Sequence, residues 1–230
     1  MLGIIGAMDE EVADIVKCMQ VSEMCELAQM TFRAGRLEDK DVVIVRSGIG
    51  KVNAAVCAQI LCDRFKVDGI INTGIAGSLN AKIDIGDVVL SEDVLHHDMD
   101  ATGFGYPLGQ IPRMDTLSFK GDERLIGLAK EACASVAPEI GVHLGRVVSG
   151  DQFVSDSALK KRIVENFGGY CTEMEGAAIA QTAYLNNIPF LVIRAISDKA
   201  DDSANMDYAE FEAMAIRNLV NIIKEIARTY

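Results

Sequence analysis

The chain has 230 residues, half of them hydrophobic, and a formal net charge of −12. That length can bury one sizeable core, and no Pro/Gly/Ser-rich linker divides it, so a single domain over residues 1–230 is expected. The charge argues against nucleic acid as partner, because neutralising phosphates takes clustered Lys and Arg and the 22 basic residues are dispersed; a small neutral or zwitterionic ligand fits better.

The first apolar run, 2–7, reads as a buried strand, and a helix is predicted over 9–19 with Asp9, Glu10 and Glu11 in its first turn. Acids there interact favourably with the helix dipole by ~0.3–1 kcal/mol, which explains them without chemistry. A strand over 42–47 runs into Ser47-Gly48-Ile49-Gly50-Lys51 and a helix over 51–65; a strand over 67–73 runs into Asn72-Thr73-Gly74-Ile75-Ala76-Gly77-Ser78. Both glycine-rich stretches read as tight turns. Neither matches G-x-G-x-x-G or G-x-x-x-x-G-K-[ST], so a dinucleotide or nucleoside-triphosphate site is unsupported.

A strand is predicted over 86–91. From His97 to Lys120 the rhythm breaks, with Gly103, Gly105, Pro107, Gly109 and Pro112 mixed among Phe104, Tyr106 and Ile111. A loop of that length is usually functional or an interface. Then follow a helix over 122–135, a strand over 142–149, helices over 157–166 and 175–186, a strand over 188–196 and a helix over 207–228. In the last, Phe211, Met214, Ala215, Leu219, Ile222, Ile223 and Ile226 recur at three- and four-residue spacing as one apolar stripe. Strands alternating with helices imply a largely parallel sheet covered on both faces.

Glu11, the pair Glu173 and Glu175, and Asp198 stand at strand-to-helix junctions, where α/β proteins place their chemistry. Glu173 and Glu175 share a face only where the backbone is extended. Asp198 follows a buried strand, and burial raises a carboxyl pKa toward that of a proton donor. His96-His97-Asp98 has metal-ligand residue types, but neighbours on a strand point to opposite faces, so no metal is expected. The six cysteines form no C-x-x-C pair and read as free thiols. No run approaches the ~20 apolar residues that span a bilayer, and no basic stretch precedes a small-residue cleavage site, so a cytoplasmic location without membrane contact is expected.

Six segments in register carry a resemblance: Gly3-Ile4-Ile5-Gly6-Ala7-Met8-Asp9-Glu10-Glu11, Ser47-Gly48-Ile49-Gly50-Lys51-Val52-Asn53-Ala54-Ala55, Asn72-Thr73-Gly74-Ile75-Ala76-Gly77, Ser149-Gly150-Asp151-Gln152-Phe153, Glu173-Met174-Glu175 and Arg194-Ala195-Ile196-Ser197-Asp198. Together, and over nearly the whole chain, they resemble the bacterial 5′-methylthioadenosine/S-adenosylhomocysteine nucleosidases. The resemblance implies a three-layer α/β/α fold with a central twisted mixed sheet, shared with purine nucleoside phosphorylases, and hydrolysis of the bond between adenine and a 5′-thio-substituted ribose without cofactor or metal. It implies Asp198 as proton donor to adenine N7, held by Ser197; Glu11 as activator of water, which Arg194 orients; and Glu175 as acceptor from the ribose hydroxyls. It further implies Phe153 and the backbone at Val154 against adenine, Met174 against the ribose, and Met8, Ile49 and Tyr208 around the 5′ substituent. Phe104 and Pro112 would reach a neighbouring subunit's site, making a homodimer with shared sites. Under the resemblance, Asp9, Glu10 and Glu173 keep only structural roles.

Two positions depart from the Asn-Thr-Gly-Ser-Ala-Gly-Gly that many members carry: Ile75 stands for the serine and Ser78 for the last glycine, so a hydroxyl near the expected water is missing. A phosphorylase on the same fold is one alternative; such enzymes usually carry arginine where this chain has Asn72. Glu11 would also oppose phosphate, since like unit charges ~4 Å apart cost about 4 kcal/mol at an effective dielectric of 20. The other alternative is a non-catalytic nucleoside-binding protein.

Overall fold

In the computed structural model, which describes residues 1–202 and 204–230, the chain order is β1 (Leu2–Gly6), α1 (Asp9–Cys18), β2 (Gln20–Leu27), β3 (Met30–Leu37), β4 (Lys40–Arg46), α2 (Lys51–Ile60), β5 (Gly69–Ser78), β6 (Val88–His96), β7 (Phe119–Lys120), α3 (Glu123–Val136), β8 (Val142–Ser149), α4 (Ser157–Phe167), β9 (Cys171–Glu173), α5 (Gly176–Asn186), β10 (Phe190–Asp198) and α6 (Ala204–Thr229). A π-helical turn, Leu61–Phe65, prolongs α2.

The strands form one mixed sheet, which corrects the expectation of a largely parallel one. β4, β1, β5 and β10 run parallel, as do β6, β8 and β9; the two sets meet antiparallel where β10 pairs β6 and β5 pairs β9. β5, β10, β6, β8 and β9 thereby close on themselves, while β1, β4, β3 and β2 extend as an open wing. The wing's outer strands are antiparallel because two-residue turns join them, at Ala28-Gln29 and Glu38-Asp39. All four turn residues have positive φ, between 48° and 64°, the twist that two-residue hairpins require.

Helices cover both faces. α1, α3 and α6 bury Ile15, Ala129, Leu219 and Ile223 against one face; α2 and α5 bury Ala54, Cys57, Ile179 and Ala183 against the other. α4 closes a smaller cluster through Ile163 and Phe167. Each fully buried Leu, Ile or Phe contributes roughly 1.5–3 kcal/mol relative to exposure, so the two main layers carry the fold. Along α6, Ala215, Leu219, Ile222, Ile223 and Ile226 of the expected stripe are buried.

The stretch 72–78 is not a turn: it lies within β5, every residue of which is buried. β1 pairs with β5 only as far as Asn72, and β9 begins to pair at Gly77. Between them, one edge of Thr73–Ala76 has no strand beside it. The sheet forks there, and backbone groups of β5 are left for side chains to satisfy.

Candidate active site

Glu11 fills the fork. Its Oε1 accepts from the Ile75 amide at 3.1 Å, and its Oε2 accepts from the amides of Ala7 at 2.6 Å and Met8 at 3.0 Å. As the third residue of α1 it caps its own helix start, so the structural and the chemical reading of this acid coincide. Burial pushes its carboxyl above the usual range, opposed by Arg194 and by those three amides.

Arg194 enters the fork from β10 and is buried to 1% exposure. Its Nη2 donates to Asn72 Oδ1 at 2.5 Å and to Glu173 Oε2, and lies 3.6 Å from Glu175 Oε2. Burial opposes its charge, but Glu173, Glu175 and Glu11 outweigh that and hold it firmly cationic. Glu173 also accepts from Ser149 Oγ and from the amides of Glu175 and Gly176, at 3.2 and 2.8 Å, which caps α5. These contacts give it a structural role, and it also lines the cavity described below.

Glu175 stands at the junction between β9 and α5, and its Oε1 accepts from the Gly50 amide at 2.9 Å. Burial, then the nearby Glu173, push its carboxyl up to about 7 against the pull of Arg194. Both glutamates reach Arg194 although β9 ends at Glu173; the chain bends through Met174 and Glu175, so a bend and not an extended backbone brings the two acids together.

Asp198 closes β10. The register with β5 shifts between Ile196 and Asp198, a β-bulge at Ser197; this is how two consecutive residues face one cavity. Ser197 Oγ donates to Asp198 Oδ2 at 2.9 Å, and the Ala200 amide donates to Oδ1 at 2.8 Å. Burial raises the Asp198 carboxyl despite both hydrogen bonds.

A cavity of about 390 Å³ joins these groups. Of the residues singled out in the sequence, Met8, Glu11, Ile49, Ile75, Phe153, Met174, Glu175, Arg194, Ser197, Asp198 and Tyr208 line it. Phe153 and Tyr208 meet edge to face, ring centres 6.0 Å apart, and Tyr208 Oη lies 3.5 Å from Met8 Sδ. Val154 is buried in the α4 cluster, while Phe104, 86% exposed, and the exposed Pro112 are not among the lining residues of the same chain. Ala7, Ala76, Gly77 and Thr172 also line the cavity without having been singled out as site residues. Ile75 gives the site its amide and an apolar side chain, and Ser78 Oγ donates outside it to the Asn80 carbonyl at 2.9 Å. His96 and His97 diverge as expected: His96 Nε2 pairs with Gln181 at 3.0 Å, and the ring of His97 packs on Gly150. Among the described residues no group of three His, Cys, Asp or Glu is arranged to hold a metal ion.

Buried acids gathered at a forked sheet around a small, largely apolar cavity define a class, and the Phosphorylase superfamily matches residues 1–228. A 5′-methylthioadenosine/S-adenosylhomocysteine nucleosidase of Exiguobacterium is 42% identical, covering 99% of this chain and 97% of its own; one of Staphylococcus saprophyticus is 43% identical over the full length of both. The crystal structure of the Neisseria meningitidis nucleosidase in complex with methylthio-immucillin-A is similar at a TM-score of 0.96, with 38% identity over 100% of this chain and 99% of that one. The chain belongs to the 5′-methylthioadenosine/S-adenosylhomocysteine nucleosidase family.

Proposed function

We propose that this chain, as one nucleosidase domain over residues 1–230, hydrolyses the N-glycosidic bond of 5′-methylthioadenosine and S-adenosylhomocysteine, and also of 5′-deoxyadenosine, releasing adenine and the 5′-substituted ribose. The observation that carries the reading is the set of three buried acids, Glu11, Glu175 and Asp198, lining one cavity with distinct partners.

Breaking the bond leaves an oxocarbenium-like ribosyl cation and an adenine that needs a proton. Asp198, whose carboxyl burial pushes up, gives its proton to adenine N7 as the bond from C1′ to N9 breaks. Glu11 takes a proton from water, whose oxygen bonds to C1′. Arg194, held by Asn72 and Glu173, steers that water. Glu175 accepts from the ribose hydroxyls, and its charge favours the cation more than the neutral substrate, which lowers the barrier. Phe153 stacks on adenine, with the backbone at Val154 on the base edge; Met174 packs on the ribose, and Met8, Ile49, Ile75 and Tyr208 surround the 5′ substituent. We also propose a cytoplasmic homodimer in which Phe104 and Pro112 of each protomer close the other's cavity; their exposure in the single chain supports this, and the six free cysteines suit a reducing compartment.

Phosphorolysis fits poorly, since phosphate would enter beside Glu11 while Arg194, the one buried guanidinium among the described residues, is already engaged by Asn72, Glu173 and Glu175. The test is incubation with 5′-methylthioadenosine in phosphate-free buffer. Adenine and the free sugar are expected at full rate; a rate that rises from zero with added phosphate overturns the reading.

A further inference from the structure

Two loops that carry cavity residues, those of Ile49 and Phe153, are tied to each other and to Asp98 by a closed ring of contacts outside the cavity. Lys51 Nζ pairs with Asp98 Oδ1 at 2.6 Å; Asp98 Oδ2 accepts from the Asp151 amide at 3.0 Å; and Asp151 Oδ1 accepts from the Lys51 amide at 2.8 Å. The ammonium and the Asp98 carboxylate are only 20% and 19% exposed, so water screens the pair less than an ordinary surface one. Lys51 adjoins Gly50, whose amide holds Glu175, and follows Ile49 by two residues. Asp151 precedes Phe153 by two residues. None of the three ring residues lines the cavity.

From this ring we infer that Lys51 is a positioning residue: through Asp98 and Asp151 it sets the Ile49-Gly50 loop against the Phe153 loop, and so fixes the width of the nucleoside cavity. The inference rests on the proposed nucleosidase reading. Gly50 has φ of 98°, and a Cβ there would stand 3.2 Å from Asp151 Oδ1, so the turn itself accommodates the ring. Asp98 is held ionised by Lys51 and the Asp151 amide against the cost of burial. Misplacing binding groups weakens the ground-state and transition-state complexes alike when the reacting acids stay in place, and that appears in KM rather than kcat.

Lys51→Met, Lys51→Arg, Asp98→Asn and the Lys51→Met/Asp98→Asn double variant separate this role from simple stabilisation. For Lys51→Met, KM for 5′-methylthioadenosine rises about tenfold while kcat stays within about threefold, and Tm stays within about 2 °C. Lys51→Arg restores most of the KM, Asp98→Asn reproduces the loss, and the double variant is no worse than either single one, because both remove the same contact. Unchanged KM in Lys51→Met overturns the inference, as do a fall confined to kcat, a loss that tracks Tm, or losses that add in the double variant. Calorimetric titration with adenine keeps the two readings apart. A wild-type protein that binds adenine but releases none from the nucleoside removes the hydrolase reading, whereas weaker adenine binding by Lys51→Met still supports the ring.

Discussion

The carboxylate of Glu11 rests on the bare Cα of Gly74. A Cβ at that position would collide with Glu11 Oε1 and also with Arg194 Nη1. Neither neighbour can yield cheaply, since Glu11 is held by three amides and Arg194 by Asn72 and Glu173. Gly74→Ala should therefore destabilise the protein by about 1–3 kcal/mol, the usual range for overpacking. It should also lower kcat/KM by about a hundredfold, as a 1 Å misplacement does. Urea unfolding and adenine release measure the two effects; wild-type turnover in this variant would mean that neither group needs its present position.

Asp198→Asn keeps the size and shape of the side chain; its oxygen can still accept from the Ala200 amide, and the Ser197 hydroxyl can turn to accept from its NH2 group. It cannot supply a carboxyl proton. Loss of general acid catalysis is expected to reduce adenine release by about 10²- to 10⁴-fold, with 5′-methylthioadenosine still bound and the unfolding midpoint little changed. Undiminished release would remove Asp198 from the mechanism and favour a different proton source.

Much of this site was legible because the acids sit where strands give way to helices, and six segments keep one register along the chain. Three things were not. Asn72 to Ser78 carries four residues with turn preferences, Asn72, Gly74, Gly77 and Ser78, yet it lies within a strand buried along its whole length. Its glycine at 74 serves close approach by Glu11 and Arg194, not a turn, and only the fold supplies that reason. β2 is exposed or half-exposed along its whole length, so burial imposes no alternation on it. The Ala28-Gln29 and Glu38-Asp39 turns lack the Asn-Gly or Asp-Gly pairs that announce a two-residue hairpin, so the hairpins on either side of β3 left no turn signal. The bulge at Ser197 is also silent in sequence, although it decides that Ser197 and Asp198 share a cavity.

Arg194 is the one guanidinium between Glu173 and Glu175, and all three side chains are buried. Removing it leaves Glu173, Glu175 and Glu11 without the counter-charge they share. Arg194→Met is expected to cost about 3–5 kcal/mol, as breaking a buried pair usually does. Adding Glu173→Gln should return part of that loss, since Glu175 then has one like charge fewer beside it. Chemical denaturation of the two variants measures the difference; a double variant less stable than Arg194→Met would show that the Glu173 charge is needed for capping α5 rather than for pairing.

The Glu175 carboxyl, raised to about 7 by burial and by Glu173, makes binding of a cation depend on pH. With the cavity empty, much of the Glu175 population keeps its proton below pH 7. A nucleoside analogue whose ribose is replaced by a ring holding a nitrogen that stays protonated across the range favours the ionised form and lowers that pKa. Binding therefore releases a proton at pH values between the lowered and the raised pKa, and affinity rises with pH through this window before levelling above about 7. Glu11 and Arg194 face the same cavity, but Arg194 keeps its charge throughout. Glu11 is separated by Glu175→Gln, which flattens the curve if Glu175 is the group that titrates. Calorimetry in buffers of different ionisation enthalpy counts the released proton directly. Affinity independent of pH in the wild-type protein would mean that Glu175 is already ionised in the empty site, and that Arg194 outweighs burial and Glu173 together.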